Sequence, residues 1–136
     1  MSKLMDQAIA LRSDPDTHFN CAQAVVIPFA MQAGMSMDQA YALAANFGGG
    51  MRSGLTCGAI SGGLMALGIS GVTQDSAAAE FIRRMTREHD GKTDCRDLLA
   101  ANAQTAIPKK THCDNLVYES VDHVEKMLQE CGMINT

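Results

Sequence analysis

Four of the five cysteines share one local context. Each lies directly after, or two positions after, a residue whose side chain often caps a helix: Asn20-Cys21, Thr56-Cys57, Asp94-Cys95 and Thr111-His112-Cys113. The unpaired N–H groups and the positive dipole end at a helix N-terminus favour a thiolate over a thiol. We therefore expect these cysteines in the first turns of four different helices, facing one pocket that stabilises anions.

Four converging thiolates suit two kinds of site. One is an iron–sulfur cluster or zinc bound by the cysteines, and the other is reversible disulfide exchange. The predicted metal ligands are Cys21, Cys57, Cys95 and Cys113. The spacings of 36, 38 and 18 residues between them match no Cys-x-x-Cys signature. Since both kinds of site need thiolates in a positive pocket, the residue pattern leaves the choice open.

Cys57 differs from the other cysteines because it lies within a glycine-rich stretch, residues 48–69. The stretch reads GGGMRSG followed by LTCGAISGGLMALGI, which predicts a tight bend and then a helix that begins at Cys57. Gly58 and Gly62 leave one face of this helix without side chains. Another helix of the chain, or a second copy in a homo-oligomer, can therefore approach it closely. Cys57 is the predicted attacking thiol of an exchange mechanism, and Cys21 is a second predicted catalytic residue.

Cys131 differs from the other four cysteines. It falls near the C-terminal end of the last predicted helix, where the dipole disfavours a thiolate. We interpret it as a small buried hydrophobic residue, which is a common role of free cysteine.

A cysteine hydrolase or transferase is an alternative from another class. Cys57 would be its nucleophile, backbone N–H groups near it the oxyanion hole, and His18 or His112 the general base. The simpler interpretation is that His18 lies in a loop and that His112 is a polar residue in the first turn of a helix.

A module that binds a small anion is a second alternative. The loop 48–54 can form a nest of backbone N–H groups for a phosphate or carboxylate, with Arg52 as the charged partner. The predicted cofactor-binding residues are Gly50, Arg52 and Gly58. The loop lacks the Gly-Lys-Ser/Thr ending of a P-loop, which argues against nucleotide hydrolysis. A flexible connection between two helices is the competing interpretation.

Length and composition limit the possible classes of protein. The chain has 136 residues, 46% of them apolar and 19% charged, which is typical of one globular domain rather than a disordered chain. A net charge of −4 without a basic run argues against nucleic-acid binding. The start of the chain lacks a signal-peptide pattern, and the most apolar window, 55–72, is rich in glycine and serine. We therefore expect a cytoplasmic protein that binds no membrane. Because the chain shows no export signal, its five cysteines do not indicate a disulfide framework.

Apolar periodicity and capping residues predict an all-α bundle of about six to seven helices in a single domain, 1–136. Aromatic residues make up only 4% of the chain, which favours helix over sheet. The predicted helices cover residues 2–12, 21–32, 37–46, 57–69, 74–89, 95–102 and 112–132. The apolar stripe of the last helix consists of Leu116, Val117, Val121, Val124 and Leu128.

The residues around Cys57 also resemble a known family. The segment Cys57-Gly58-Ala59-Ile60-Ser61-Gly62, with one cysteine upstream and two downstream, resembles a family of redox-active proteins named for a Cys…Cys-Gly-Ala-x-x-Gly…Cys…Cys pattern. The resemblance covers nearly the whole chain, from the segment 20–25 to Cys113, and leaves Cys131 outside. It implies the other four cysteines as the functional set and a redox or metal-linked role with an unidentified redox partner. Related domains are associated with electron-transfer proteins, so an iron–sulfur site remains one of the alternatives.

Overall fold

The computed structural model describes residues 2–133, and within that range it contains seven α-helices. They are α1 (Lys3–Arg12), α2 (Cys21–Gln32), α3 (Met37–Ala44), α4 (Gly58–Ile69), α5 (Asp75–Thr86), α6 (Cys95–Asn102) and α7 (Lys109–Glu130). A short 3₁₀ turn, Ala45–Phe47, follows α3. Within 2–133 extended backbone pairs only in an isolated antiparallel bridge between Thr56 and Asp94. The predicted all-α fold is confirmed.

Helix α2 is the centre of the bundle. It packs against α1, α3, α4 and α7, and its residues from Ala22 to Ala30 are all buried. A helix that is buried on every side needs an apolar surface all round, and the sequence AQAVVIPFA supplies one with a single polar residue, Gln23. Gln23 satisfies its amide by donating from Nε2 to the Tyr41 carbonyl oxygen at 2.9 Å.

Helices α2 and α4 lie in very close contact because α4 presents glycines to α2. A Cβ atom placed on Gly62 would lie 2.8 Å from the Ala22 carbonyl oxygen, and one on Gly58 would lie 3.0 Å from the Ala22 nitrogen. The predicted close approach at these glycines is confirmed. The glycine face is covered by a helix of the same chain, so it is not available to a second copy.

Helix α7 closes the other side of the bundle. Its 22 residues span about 33 Å, and the five apolar residues predicted to face inward are all buried. Ser120, also fully buried, donates from Oγ to the Ala59 carbonyl oxygen at 2.7 Å. This bond ties the middle of α7 to the first turn of α4.

Two of the predicted helix starts that differ from the structure change the position of a cysteine. Helix α4 begins at Gly58, so Cys57 itself is the N-cap, because Thr56 is held in the bridge to Asp94. Helix α7 begins at Lys109 rather than after Thr111, because Pro108 has the fixed φ and missing N–H that a helix start tolerates. Cys113 therefore lies in the second turn of α7 and not in the first.

The end of α7 also differs from expectation. Cys131 is the C-cap of the helix and is exposed, so its interpretation as a buried hydrophobic residue is wrong. Within residues 2–133, no helix is both long and apolar enough to cross a bilayer.

The contact between α2 and α4 can be tested with two alanine substitutions in the same helix. Gly62→Ala places a methyl group against the α2 backbone, which cannot move cheaply, so we expect it to lower the free energy of unfolding by about 1–3 kcal/mol. Gly68→Ala meets no atom within 4 Å, and we expect it to raise stability by up to about 1 kcal/mol through helix propensity. Urea denaturation followed by circular dichroism measures both, and equal midpoints for the two variants would contradict the close contact.

Candidate functional site

A cavity of about 370 Å³ lies where the C-terminal end of α1 meets the N-terminal ends of α2, α4, α6 and α7. We call it the cysteine cavity, because four cysteines line it: Cys21, Cys57, Cys95 and Cys113. Its volume falls in the range of sites that hold small molecules. The structure thus places the four predicted residues around one space and leaves Cys131 on the surface.

A capping box holds Cys21 at the start of α2. Asn20 accepts from the Gln23 N–H at 2.8 Å, and Gln23 Oε1 accepts from the Asn20 N–H at 2.9 Å. The Asn20 side chain also donates to the Ala45 carbonyl oxygen at 3.1 Å. These bonds fix the first turn of α2, and with it Cys21, to the segment that leads into the glycine-rich loop.

The isolated bridge holds Cys57 beside Cys95. The Cys57 N–H donates to the Thr93 carbonyl oxygen at 2.8 Å, and the Cys95 N–H donates to the Leu55 carbonyl oxygen at 2.6 Å. The starts of α4 and α6 are therefore joined by backbone bonds. No sequence signal predicts this pairing, because one residue on each side is too short to show the alternation of a strand.

Cys113 reaches the cavity from one face of α7. Lys109, four residues earlier, and Leu116, three residues later, line the same cavity, as the spacing of residues on one helix face requires. Because Cys113 lies in the second turn, Lys109 precedes it by one helical turn on the same side of α7.

Arg12 is a site residue that sequence reasoning missed, as are Lys109 and Lys110. The Arg12 side chain is only 6% exposed, lines the cavity and acts electrostatically on Cys21 and Cys113. Its Nε donates to Asp114 Oδ1 at 2.7 Å and its Nη1 to the Phe19 carbonyl oxygen at 2.7 Å. An arginine in the last turn of an amphipathic helix ordinarily indicates a solvated surface, so the sequence carried no signal for it.

Cys21 and Cys113 shift each other's pKa in opposite directions. The interaction with the Cys21 thiol lowers the pKa of Cys113 to about 6, with further lowering by Arg12 and Lys109, while burial and Asp114 oppose the shift. The same interaction, followed by burial, raises the pKa of Cys21. The pair therefore favours a Cys113 thiolate beside a protonated Cys21.

Cys57 does not have the acidic thiol that its position predicted. Burial raises its pKa to about 11, although the backbone N–H groups of Ala59 and Ile60 act to lower it. Cys57 is 4% exposed, so the loss of hydration outweighs the helix N-terminus. Burial also raises the pKa of Cys95.

The two histidines proposed as bases occupy different places. His112 lines the cavity, and its buried Nε2 atom has no hydrogen-bond partner among residues 2–133. Burial, and then the nearby His89, lower its pKa, so the ring is neutral at pH 7. His18 lies at the cavity edge and is exposed. The raised pKa of Cys57 gives the hydrolase alternative no activated nucleophile.

Only one of the three predicted cofactor-binding residues lines the cavity, namely Gly58. Gly50 is buried in a turn of left-handed backbone, where an added Cβ would lie 2.3 Å from the Leu55 carbonyl oxygen. Arg52, in the same turn with a φ of +55°, donates from Nη2 to the Ala45 carbonyl oxygen at 3.1 Å. Anion binding by this loop stays a prediction, to which the cavity adds no support.

The four sulfurs surround one space without forming a finished metal cage. Within residues 2–133, no group of three or more His, Cys, Asp or Glu side chains is arranged to hold a metal ion. The donor set is nevertheless one that suits a thiolate-bound metal.

The fold and the site define a small helical protein with a cavity lined by four thiols and a buried arginine. The sequence matches the family described as "Putative redox-active protein (C_GCAxxG_C_C)" over residues 19–127, which is 109 of its 136 residues. The chain therefore belongs to this family, and the resemblance stated from the cysteine pattern is confirmed. The family label spells Gly-Cys-Ala where this chain has Cys57-Gly58-Ala59. Searches of curated proteins and of solved structures found no match.

The pH dependence of alkylation tests the thiol–thiolate pair. The thiolate is the reactive form, so the rate of Cys113 labelling by iodoacetamide should rise with pH around a midpoint near 6. Cys57 should stay unlabelled through neutral pH. Peptide mass spectrometry measures each site, with the exposed Cys131 as internal reference.

Two variants test what lowers the pKa of Cys113. Cys21→Ala removes the hydrogen-bond donor, and Arg12→Gln removes the cation. Each favours the protonated form of Cys113 and should move the labelling midpoint up by about one unit or more. Arg12→Lys keeps the charge and should restore part of the shift. A midpoint that stays near 6 in all three variants would contradict this assignment.

Proposed function

We propose that this protein is a thiol–disulfide redox protein in which Cys21 and Cys113 are the exchanging pair. The observation that supports it is the placement of Cys21 and Cys113 in one cavity with Arg12 and Lys109, which act to lower the pKa of Cys113. The thiolate is the nucleophile in disulfide exchange. A pKa of about 6 keeps Cys113 ionised at neutral pH without the loss of nucleophilicity that a much lower value brings.

The proposed reaction takes two steps and oxidises two thiols. The Cys113 thiolate attacks one sulfur of a partner's disulfide, which breaks the partner's S–S bond, forms a mixed disulfide and releases one partner thiolate. Cys21 then loses its proton to that thiolate, and its sulfur attacks Cys113 Sγ. The Cys21–Cys113 disulfide forms, and the second partner thiolate leaves. The partner's disulfide gains two electrons and becomes two thiols on protonation.

This proposal moves the attacking role from Cys57 to Cys113. Cys57 is almost completely buried with a raised pKa, whereas Cys113 is half-buried with a lowered one. All five cysteines are free thiols, which fits a reducing compartment, and we keep the cytoplasm as the proposed location.

Cysteine substitutions test the exchange mechanism. Treatment with one equivalent of a small disulfide should produce an intramolecular Cys21–Cys113 bond, found by non-reducing peptide mapping. Cys21→Ser should stop the reaction at a mixed disulfide on Cys113, because the resolving thiol is absent. Cys113→Ser should abolish the reaction, and Cys131→Ser is the matched control that should behave as wild type. A mixed disulfide that maps mainly to Cys57 in the Cys21→Ser variant would favour the earlier assignment.

A thiolate-bound metal is the second candidate, supported by the four cysteines around one cavity. We propose an iron–sulfur cluster in preference to zinc, because the family is a redox family and zinc has no redox chemistry. The cysteines would hold the cluster, and the helix N-termini would stabilise the negative charge on their sulfurs.

Anaerobic reconstitution separates the two candidates. With iron and sulfide, the cluster predicts visible absorbance, a fixed ratio of iron to protein, and loss of both in Cys95→Ser. The exchange mechanism predicts that Cys95→Ser still forms the Cys21–Cys113 disulfide. Protein that stays colourless and free of iron, with all five thiols titratable, would rule out the cluster.

A further inference from the structure

Apart from the Cys113 thiolate, the charged side chains that line the cysteine cavity are all cationic. They are Arg12, Lys109 and Lys110. Among residues 2–133, no aspartate or glutamate lines the cavity, although the whole chain carries a net charge of −4. A concave site lined by one sign of charge concentrates ligands of the opposite sign. The cavity is therefore a local positive region on an acidic protein.

Asp114, which does not itself line the cavity, pairs with two of the three cations and offsets one positive charge. It accepts from Arg12 Nε at 2.7 Å and from Lys110 Nζ at 2.8 Å. Lys109 makes no ion pair with any residue in the range 2–133 that the structure describes, and it is exposed. Lys109 therefore remains to bind an anion, one helical turn before Cys113.

We propose that the substrate of this cavity is a low-molecular-mass disulfide that carries carboxylate groups. This inference rests on the proposed disulfide exchange and names its substrate class. The volume of about 370 Å³ suits a small molecule. A carboxylate of the substrate pairs with Lys109, which brings its S–S bond to the Cys113 sulfur one turn further along α7. The first-turn N–H groups of α2 and α6, which begin at Cys21 and Cys95, add to the positive potential.

The reaction is the exchange described above with the small molecule as oxidant. Its disulfide accepts two electrons and leaves as two carboxylate-bearing thiols. Cys113 enters as the thiolate and Cys21 gives up its thiol proton, so the two cysteines become a disulfide, and solvent supplies the proton for the second released thiol. Lys109 takes no part in the bond changes, so it is a positioning residue and not a catalytic one.

Three small disulfides of different charge test the substrate class: dithiodipropionate (anionic), hydroxyethyl disulfide (neutral) and cystamine (cationic). Each rate of Cys21–Cys113 formation is divided by the rate of the same disulfide with mercaptoethanol, which corrects for intrinsic reactivity. At low salt we expect wild type to prefer the anionic disulfide over the neutral one by about tenfold. Added salt should reduce this preference.

Two charge reversals on the same helix give the matched comparison. Lys109→Glu should invert the preference, so that the cationic disulfide reacts fastest. Lys126→Glu makes the same change in net charge 17 residues further along α7, about 25 Å away, and should keep the wild-type preference. The ratio of rates is the readout, because it does not depend on a change in the Cys113 pKa that affects all three disulfides alike.

The outcomes distinguish this inference from the proposed function. If none of the three disulfides produces a Cys21–Cys113 bond, the exchange mechanism itself is wrong. If the bond forms at equal corrected rates with all three, exchange stands and the anionic substrate class is overturned. A preference that Lys109→Glu and Lys126→Glu change equally would reflect only the net charge of the protein, and would also overturn the assignment.

Discussion

The close contact between α2 and α4 is the constraint on which the site depends. Gly58 and Gly62 allow the α4 backbone to approach Ala22 to a distance at which no side chain fits. This approach brings the first turn of α2 next to the N-cap of α4, so Cys21 and Cys57 line the same cavity. The bridge between Thr56 and Asp94 then adds the start of α6. Packing of backbone against backbone therefore assembles a site whose parts lie far apart in sequence.

Environment, rather than position on a helix, decides which cysteine is ionised. Cys57 lies at a helix N-terminus, where nearby backbone N–H groups act to lower its pKa, yet burial raises it. Cys113 lies one turn further into its helix, yet a neighbouring thiol and the buried Arg12 lower its pKa. A helix terminus is a modest electrostatic effect, whereas loss of hydration or a direct hydrogen bond to the charged form moves a pKa by several units.

The electrostatics of the cavity depend on one residue outside it. Asp114 holds the guanidinium of Arg12 beside the two cysteines and also pairs with Lys110. A buried arginine without such a partner would be costly, so Asp114 is what allows a cation to remain in the cavity wall. Asp114 does not itself line the cavity, and the surface that a ligand meets stays positive.

Local signals in the sequence determined the helices and the set of cysteines, and only the tertiary structure decided their chemistry. The start of α2 was predicted correctly because Asn20 and Gln23 form a capping box within four residues. The start of α7 was not, because Pro108 and Thr111 are both acceptable local starts. The bridge at Thr56, the role of Arg12 and the choice of Cys113 over Cys57 left no local signal. Each depends on contacts between residues far apart in sequence, and the pKa of a thiol is set by those contacts and by the water they exclude.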